Sequence, residues 1–276
     1  MTTKIICVVD NQVMQGSKLK SEHGLAFWIE TDDDVLLFDT GQSTEVLEHN
    51  IEILGLRLQD IDYLALSHAH YDHTGGLEAV LSNKDNLEIF ANPDILRPRY
   101  ALRDGDYESI GMAIDPSKSS NRVRLKLCYA PNQIFPKLWT TGVISKRPEP
   151  QGSSPHHFVL AEGGWQSDPY LDDMSLVLIT DTGLVLICGC CHAGLLNTLF
   201  HVELIFGGPI STVIGGTHLI SADDNQLDHI ISVLETHFQG LTFYLNHCTG
   251  QNGFNNLAGA FGSQVKACPA GTSITF

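Results

Sequence analysis

Three histidines and one aspartate lie within six residues of one another, in the segment Leu-Ser-His-Ala-His-Tyr-Asp-His-Thr-Gly-Gly-Leu at positions 66–77. Imidazole nitrogens and carboxylate oxygens are the ligand types that hold zinc, manganese or iron in proteins. His68 and His70 project to the same side if the chain between them is extended, whereas Asp72 and His73 lie on the turn that follows. The segment therefore predicts a metal site, with His68 and His70 as ligands of a first ion and Asp72 and His73 as ligands of a second.

The elements around this segment explain how it can present its ligands. The apolar run Ile61–Leu66 predicts a strand whose end delivers the ligands at the rim of a sheet. Gly75 and Gly76 are expected to let the backbone turn tightly into the next helix. Two ions about 3.5–4 Å apart can share one hydroxide, lower its pKa to near 7 and stabilise a leaving oxygen. The pattern thus favours metal-assisted hydrolysis.

Strand-like and helix-like patterns alternate along the rest of the chain. Helices are predicted from Thr44 to Leu54 after an N-cap at Ser43, from Leu195 to Phe206, and from Asp224 to Phe238. Interleaved strands and helices indicate the α/β class. Strands are predicted at Lys4–Val9, Leu25–Thr31, Val35–Asp39, Tyr63–Ser67, Glu88–Ala91, Arg122–Leu127, Ser175–Thr180, Leu184–Cys188, Thr212–Ile214, Thr242–Leu245 and Gln264–Ala267.

The His-x-His-x-Asp-His pattern resembles the central motif of the metallo-β-lactamase superfamily, and other motifs of that family follow in the same order. They are Leu-Leu-Phe-Asp-Thr-Gly (36–41), Gly-Cys-Cys-His-Ala-Gly (189–194) and His-Cys-Thr-Gly (247–250). Within the superfamily the chain is most similar to the dihydropterin-ribofuranosylaminobenzene phosphate synthase-like group. The resemblance spans nearly the whole chain and is weakest between about residues 97 and 170. It implies a four-layer αβ/βα sandwich.

The resemblance also implies further ligands of two divalent ions, with zinc expected and manganese or iron as alternatives. His247 matches a ligand of the second site, and His192 is expected to replace a first-site histidine that has no counterpart before Ser175, where Asp172 and Asp173 stand. Cys190 falls where relatives carry a bridging aspartate. It is either a thiolate ligand, which favours zinc or iron, or a small buried apolar residue.

Three residues are expected to assist catalysis. Asp39 matches the family's strand-end aspartate, and we expect it to accept a hydrogen bond from a ligand and so to orient that ligand. Asp72 is expected to act in the reaction as well as on the metal. His218, in a glycine-flanked loop, either contacts substrate as a proton donor or is structural. His23 could approach the metals. His156 and His157 could also reach the site, but they are not counted among its residues.

The amino-acid composition limits the kinds of partner that the protein is expected to bind. The 276 residues include 32 acidic and 16 basic ones, for a net charge of −16, and an acidic chain repels phosphate backbones. We therefore expect a small, anionic substrate and neither nucleic acid nor membrane as a partner. Basic residues between positions 97 and 147, Arg99 among them, are either substrate contacts or solvated loop charges.

Seven cysteines without framework spacing, and no signal-peptide pattern, favour a cytoplasmic location. The oligomeric state is not indicated.

We expect residues 1–276 to form a single metallo-β-lactamase-like domain. A proline-rich stretch at about 92–170 predicts an irregular insertion, either a lid or a surface excursion. The leading function is a metal-dependent hydrolase that uses a metal-bound hydroxide on a small ester, phosphoester, lactone or thioester. The alternatives are a pterin-type synthase that releases diphosphate with the same site, and a non-catalytic metal-binding protein.

Overall fold

The computed structural model describes residues 2–118 and 123–276, and the chain folds into two compact units. The first unit comprises the described residues of Met1–Cys128, Pro155–Asp172 and Pro269–Phe276, and the second comprises Tyr129–Ser154 and Asp173–Cys268. The prediction that the whole chain is a single domain stays a prediction.

Strands occur throughout the chain and belong to three sheets. In chain order they are β1 Lys4–Val9, β2 Ala26–Glu30, β3 Val35–Phe38, β4 Tyr63–Leu66, β5 Leu87–Ala91, β6 Tyr100–Arg103, β7 Asp106–Ser109, β8 Val123–Leu127, β9 Gln133–Phe135, β10 Leu138–Thr140, β11 His157–Ala161, β12 Gly164–Ser167, β13 Leu176–Thr180, β14 Gly183–Cys188, β15 Ile210–Gly215, β16 Thr242–Leu245, β17 Val265–Ala267 and β18 Ser273–Thr275.

The α-helices lie between strands and after them. They are α1 Thr44–Ile53, α2 Tyr71–Thr74, α3 Leu77–Asn83, α4 Leu195–Phe206, α5 Asp224–His237 and α6 Gly250–Phe261. Short 3₁₀ turns occupy Leu58–Asp60, Pro116–Lys118, Leu219–Ser221, His247–Thr249 and Gly262–Gln264. Among the residues that the structure describes, no helix combines the length and the hydropathy needed to cross a bilayer.

The first unit is built on a seven-stranded mixed sheet in the order β18-β1-β2-β3-β4-β5-β8. Its half from β3 to β8 is parallel, so β3, β4 and β5 end at the same edge. The side chains of Leu37, Leu64 and Ile89 pack in one core with Leu47 of α1 and Val80 of α3. Burying this apolar face holds the strand ends in register.

The second unit contains the sheet β17-β16-β15-β14-β13-β10-β9, in which β14, β15, β16 and β17 are parallel. Cys188 pairs with Gly215, and Gly215 pairs with Leu245, so the ends of β14, β15 and β16 lie side by side. Helices α4 and α5 cover the core with Leu199, Leu227 and other apolar residues. Three adjacent loops therefore leave this sheet from one edge.

Residues 92–170 are only partly irregular, and the prediction is wrong for the parts of the segment that form strands. The segment contains β6 to β12 among its described residues. Strands β12, β11, β6 and β7 form a four-stranded antiparallel sheet of the first unit, on which the rings of Tyr107 and Trp165 stack 3.7 Å apart. Prolines marked the loops between short strands, which are too short to show a clear alternation of apolar residues. The lid role stays a prediction.

Elsewhere the predicted elements agree with the structure to within two residues at each end, and the helix Leu195–Phe206 agrees at both ends. Ser43 caps α1 by accepting a hydrogen bond from the Val46 amide, as its position predicted. The first residue of the predicted strand Arg122–Leu127 lies outside the described residues, and the rest forms β8. The glycine-containing helix α6 was not predicted, because three glycines weaken its helical pattern.

Candidate metal centre

The candidate site residues of the first unit lie just after the ends of β3 and β4. Asp39 follows β3 in a left-handed conformation, with φ of 60°, and its carboxylate is fully buried. It accepts hydrogen bonds from the amide of Ser67 at 2.7 Å and from the Ser67 hydroxyl at 2.6 Å. Such a conformation costs about 1–3 kcal/mol and clusters at functional sites. These two contacts join the two strand ends.

His68, His70 and His73, called the histidine cluster below, are buried together just after β4. Nε2 of His68 lies 3.1 Å from Nδ1 of His70, and the ring centroids of His68 and His73 are 4.2 Å apart. Histidine nitrogens bound to one ion face each other at similar separations, because each lies about 2.0–2.1 Å from the metal. The cluster thus has the donor atoms and the spacing of a metal site.

Oxygen atoms hold the outer nitrogens of two of these rings. Nδ1 of His73 lies 2.7 Å from the Asp39 carboxylate, and Nδ1 of His68 lies 2.8 Å from the Ser67 hydroxyl. A hydrogen bond of this kind selects one tautomer and directs the other nitrogen to a metal. The arrangement leaves Nε2 of both rings as the donor atoms, and these residues fit a divalent cation.

Burial lowers the pKa of His70 well below its ordinary value, and the charge of Asp72 only partly opposes that effect. The imidazole of His70 is therefore neutral near pH 7, which is the form that binds a metal. His70 also contacts the ring of His157, with centroids 5.2 Å apart, and the Tyr170 hydroxyl lies 2.9 Å from Nδ1 of His157. Sequence reasoning assigned no role to either residue, since neither belongs to a motif.

Asp72, on the single turn of α2, extends the site toward solvent. Its Oδ2 lies 3.6 Å from Nε2 of His73 and 3.3 Å from Nε2 of His23. The side chain of His23 is 56% exposed, whereas that of Asp72 is 8% exposed. His23 thus lies beside Asp72, one of the predicted metal ligands, and its approach to a metal stays a prediction. Asp72 stands between a buried imidazole and one that can exchange protons with water.

Gly75 and Gly76 serve close packing and not an unusual turn. Both have negative φ, of −69° and −82°. A Cβ on Gly75 would overlap the carbonyl of Gln42, and a Cβ on Gly76 would overlap that of Thr40. The Thr40 amide also donates to the His73 carbonyl at 2.8 Å. These glycines therefore let the loop after β3 lie against α2, which corrects the reason first given for them.

A buried ion-pair network supports the loop that carries the histidine cluster. Arg99, which is fully buried, donates to Asp168 at 2.9 Å, to Asp94 at 2.9 Å and to Asp172 at 2.9 Å. Asp172 in turn accepts a hydrogen bond from the Ala69 amide at 2.8 Å. Burial raises the pKa of Asp172 to about 6, against the opposing charge of Arg99. Arg99 is thus not a substrate contact, because its guanidinium is occupied by carboxylates.

In the second unit, the loops after β14, β15 and β16 carry the other predicted residues. His192 is fully buried, and its ring lies 4.2 Å from that of His218. Nδ1 of His192 pairs with the Gly152 carbonyl. His247 is 7% exposed, and both it and His218 have left-handed backbone conformations. Asp173, beside these loops, accepts a hydrogen bond from the Ala193 amide at 2.8 Å.

Cys190 and Cys248 are also buried in these loops. One ligand atom from each of Cys190, His218 and Cys248 lies within 4.8 Å of the others. Burial by itself raises the pKa of the Cys248 thiol. Hydrogen bonds with Cys190 and His218, and the charge of His247, nevertheless bring that pKa well below its ordinary value. Sequence reasoning missed Cys248.

The profile of the metallo-beta-lactamase superfamily matches residues 21–164, a little over half of the chain. The chain belongs to this superfamily. A 7,8-dihydropterin-6-methyl-4-(beta-D-ribofuranosyl)-aminobenzene-5'-phosphate synthase of Methanocaldococcus jannaschii is 28% identical over 286 aligned residues, which cover 99% of this chain and 96% of the relative. The predicted superfamily and its similarity to that synthase group are confirmed.

Solved structures agree with that assignment. Tm1679, described as a metal-dependent hydrolase of the beta-lactamase superfamily, is 25% identical with a TM-score of 0.83, covering 99% of this chain and 98% of that chain. The metallo-beta-lactamase fold protein YhfI from Bacillus subtilis is 12% identical with a TM-score of 0.58, and both chains are fully covered. The second likeness shows the fold alone. The predicted metallo-β-lactamase fold, of the α/β class, is confirmed.

Within this superfamily fold, the predicted ligands divide between the two units. The structure brings His68, His70, Asp72 and His73 together with Asp39 in the first unit. It places His192 against His218, and it places Cys190 near His218 and Cys248, in the second. Metal ligation by all seven residues, and the catalytic roles of Asp39, Asp72 and His218, stay predictions.

We expect Asp39→Asn to fold and to lose about 10–100-fold in metal affinity or turnover, because an amide cannot replace the carboxylate that accepts from Ser67 and His73. Isothermal titration with zinc and steady-state kinetics would measure the loss. Asp60→Asn is the control, since the Asp60 side chain is 52% exposed and follows no strand end. Unchanged affinity and rate in Asp39→Asn would remove this residue from the site.

Proposed function

We propose that this chain is a metal-dependent hydrolase that cleaves a small anionic ester, phosphoester, lactone or thioester. The observation that carries the proposal is the buried histidine cluster, in which Asp39 and Ser67 hold the outer nitrogens of His73 and His68. Histidines with a purely structural role would not require hydrogen bonds that orient two of the imidazoles toward a third. The prediction of two ions, with zinc preferred, is retained as part of this proposal.

A bound divalent cation would acidify water and neutralise charge on the leaving oxygen. His68 and His70 would hold the first such ion, and Asp72 and His73 would be ligands of the second. His192 and His247 are proposed as further ligands, as the family resemblance implies.

The pair formed by Asp72 and His23 is suited to proton transfer. Their 3.3 Å separation allows a proton to be shared between the carboxylate and the ring. An acid or base must lie within hydrogen-bonding reach of the group it serves, and the exposed ring can then pass the proton to solvent. We propose that Asp72 takes up the proton lost by the attacking water and that His23 carries it away.

A synthase that releases diphosphate is the second candidate. The M. jannaschii synthase favours it, since the match covers almost the full length of both chains. The same histidine cluster would then assist the departure of diphosphate, and a second organic substrate would replace water as the acceptor. The two functions differ in whether an acceptor is required for turnover.

The test is a panel of phosphate esters, phosphodiesters, lactones, thioesters and pterin-like diphosphates, each assayed with zinc, manganese and iron. We expect turnover of at least one small anionic ester in the absence of any acceptor, and none by His70→Ala. Release of diphosphate only when an arylamine acceptor is present would instead establish the synthase. Metal binding without turnover of any member would favour a non-catalytic metal protein, and turnover of structured RNA would contradict the small-substrate proposal.

A further inference from the structure

The second unit contains a group of soft ligand atoms that includes no residue of the histidine cluster. We propose that Cys190, His218 and Cys248, called the thiol cluster here, form a binding site for a thiolate-preferring cation such as Zn²⁺ or Fe²⁺. The proposal goes beyond the proposed function, which assigns no role to Cys248 and no ligand role to His218.

The topology brings these residues together from three different loops. Cys190 lies two residues after β14, His218 three residues after β15, and Cys248 three residues after β16. These strands are adjacent and parallel, with Cys188 paired to Gly215 and Gly215 paired to Leu245. In open α/β sheets, ligands bind outside the carboxyl ends of such strands. The cluster occupies that position within its own unit.

The distances suit a common ion. One ligand atom from each residue lies within 4.8 Å of the other two. Ligand atoms of one tetrahedral zinc ion lie about 3.6–3.8 Å apart, given zinc–sulfur and zinc–nitrogen bonds of about 2.3 and 2.0–2.1 Å. Two sulfurs and one imidazole leave a fourth position for water or another ligand.

The surrounding backbone is built to hold the cluster. A Cβ on Gly216 would lie 2.5 Å from Sγ of Cys248, so only glycine lets the β15 loop pass beside that sulfur. The amide and hydroxyl of Thr217 donate to Oγ1 of Thr249 at 3.2 and 3.1 Å, which ties the His218 loop to the Cys248 loop. His218 itself has a left-handed backbone with φ of 48°. Strain of this kind is retained where it aims a functional side chain.

An unpaired polar atom points to a ligand. Nδ1 of His218 is buried and has no hydrogen-bond partner among the described residues. A buried imidazole nitrogen without a partner is costly, and coordination of a cation removes that cost. Cys190 and Cys248 are 3% and 5% exposed, so water does not compete freely for their sulfurs. Thiolate donors select zinc and iron over magnesium or manganese.

The test is anaerobic titration of the chelator-treated, full-length protein with Co²⁺, which gives a near-ultraviolet charge-transfer band only when thiolates bind it. We expect the wild type to develop this band, and Cys190→Ser and Cys248→Ser each to lose most of it. His218→Asn should weaken Co²⁺ binding at least tenfold. Cys268→Ser is the matched control, since Cys268 is equally buried in the same unit but lies outside the cluster and should leave the band unchanged.

Alkylation provides a second measurement. Zn²⁺ should slow the labelling of Cys190 and Cys248 at least tenfold, as read by peptide mass spectrometry, and should leave Cys268 unaffected. The band should persist in His68→Ala and His70→Ala, so failure of the hydrolase proposal is distinguishable from failure of this one. No thiolate band in the wild type, or a band that survives Cys248→Ser, would overturn the proposal. A correctly folded Cys248→Ala variant serves if the serine variant does not fold.

Discussion

His70→Ala and His68→Ala are expected to lose at least one equivalent of bound metal per chain and to show no measurable turnover, while both variants remain folded. The two imidazoles face each other across 3.1 Å, so removing either deletes a donor from the histidine cluster. They lie after the end of β4, the strand whose apolar side chains join the core of the first unit. Elemental analysis and circular dichroism together measure metal and fold.

The matched control is His49→Ala, because His49 is a histidine of the same unit whose Nε2 lies 2.9 Å from the Lys18 carbonyl and which belongs to none of the candidate ligand clusters. It should keep wild-type metal and activity. Full metal occupancy in both His68→Ala and His70→Ala would refute the assignment of the histidine cluster. Loss of metal together with loss of the circular dichroism signal would show a structural role instead.

Arg99→Met is expected to destabilise the protein by about 3–5 kcal/mol, which is the cost of removing one partner from a buried ion pair. Without the guanidinium, the carboxylates of Asp168 and Asp172 remain fully buried without their cationic partner. The Ala69 amide would also lose a well-oriented acceptor, so metal affinity should fall with stability. Urea denaturation with and without zinc would measure both effects.

The loss of stability in Arg99→Met should depend on pH, and the direction of that dependence follows from the pKa of Asp172. Burial already raises the pKa of Asp172 to about 6 in the presence of Arg99, and removing the positive charge raises that pKa further. A carboxyl group whose pKa is higher in the folded than in the unfolded state stabilises the fold at low pH. That contribution is lost as the pH rises through the folded-state pKa. The stability difference from wild type should therefore narrow from about pH 8 to about pH 5.

Arg103→Met is the matched control for this prediction. The Arg103 side chain is 56% exposed and pairs with an equally exposed Glu108. Exposed pairs contribute about 0–1 kcal/mol, so its stability should stay near that of the wild type at every pH. Equal losses in the two arginine variants, or a deficit in Arg99→Met that widens toward acid pH, would contradict the role given to the buried network.

Local sequence determined the elements that carry the chemistry. The apolar run before His68 and the dense ligand pattern after it lie on one short stretch, so both strand and ligands are read from neighbouring residues. Ser43 and the helix that it caps are equally local, because a cap acts within one turn. Residues 92–170 were misread because their strands are short and pair with distant partners, as His157 pairs with Ala101.

Tertiary structure decided what surrounds those ligands. Asp39 meets His73 only because β3 and β4 pair in parallel, and Arg99 meets Asp172 across 73 positions. Cys190, His218 and Cys248 converge only because β14, β15 and β16 are neighbours. Strand order is set by which apolar faces pack together over the whole chain, and no window of neighbouring residues contains that information. The sequence by itself determined the family and the candidate metal ligands of one loop, and packing decided which side chains orient them.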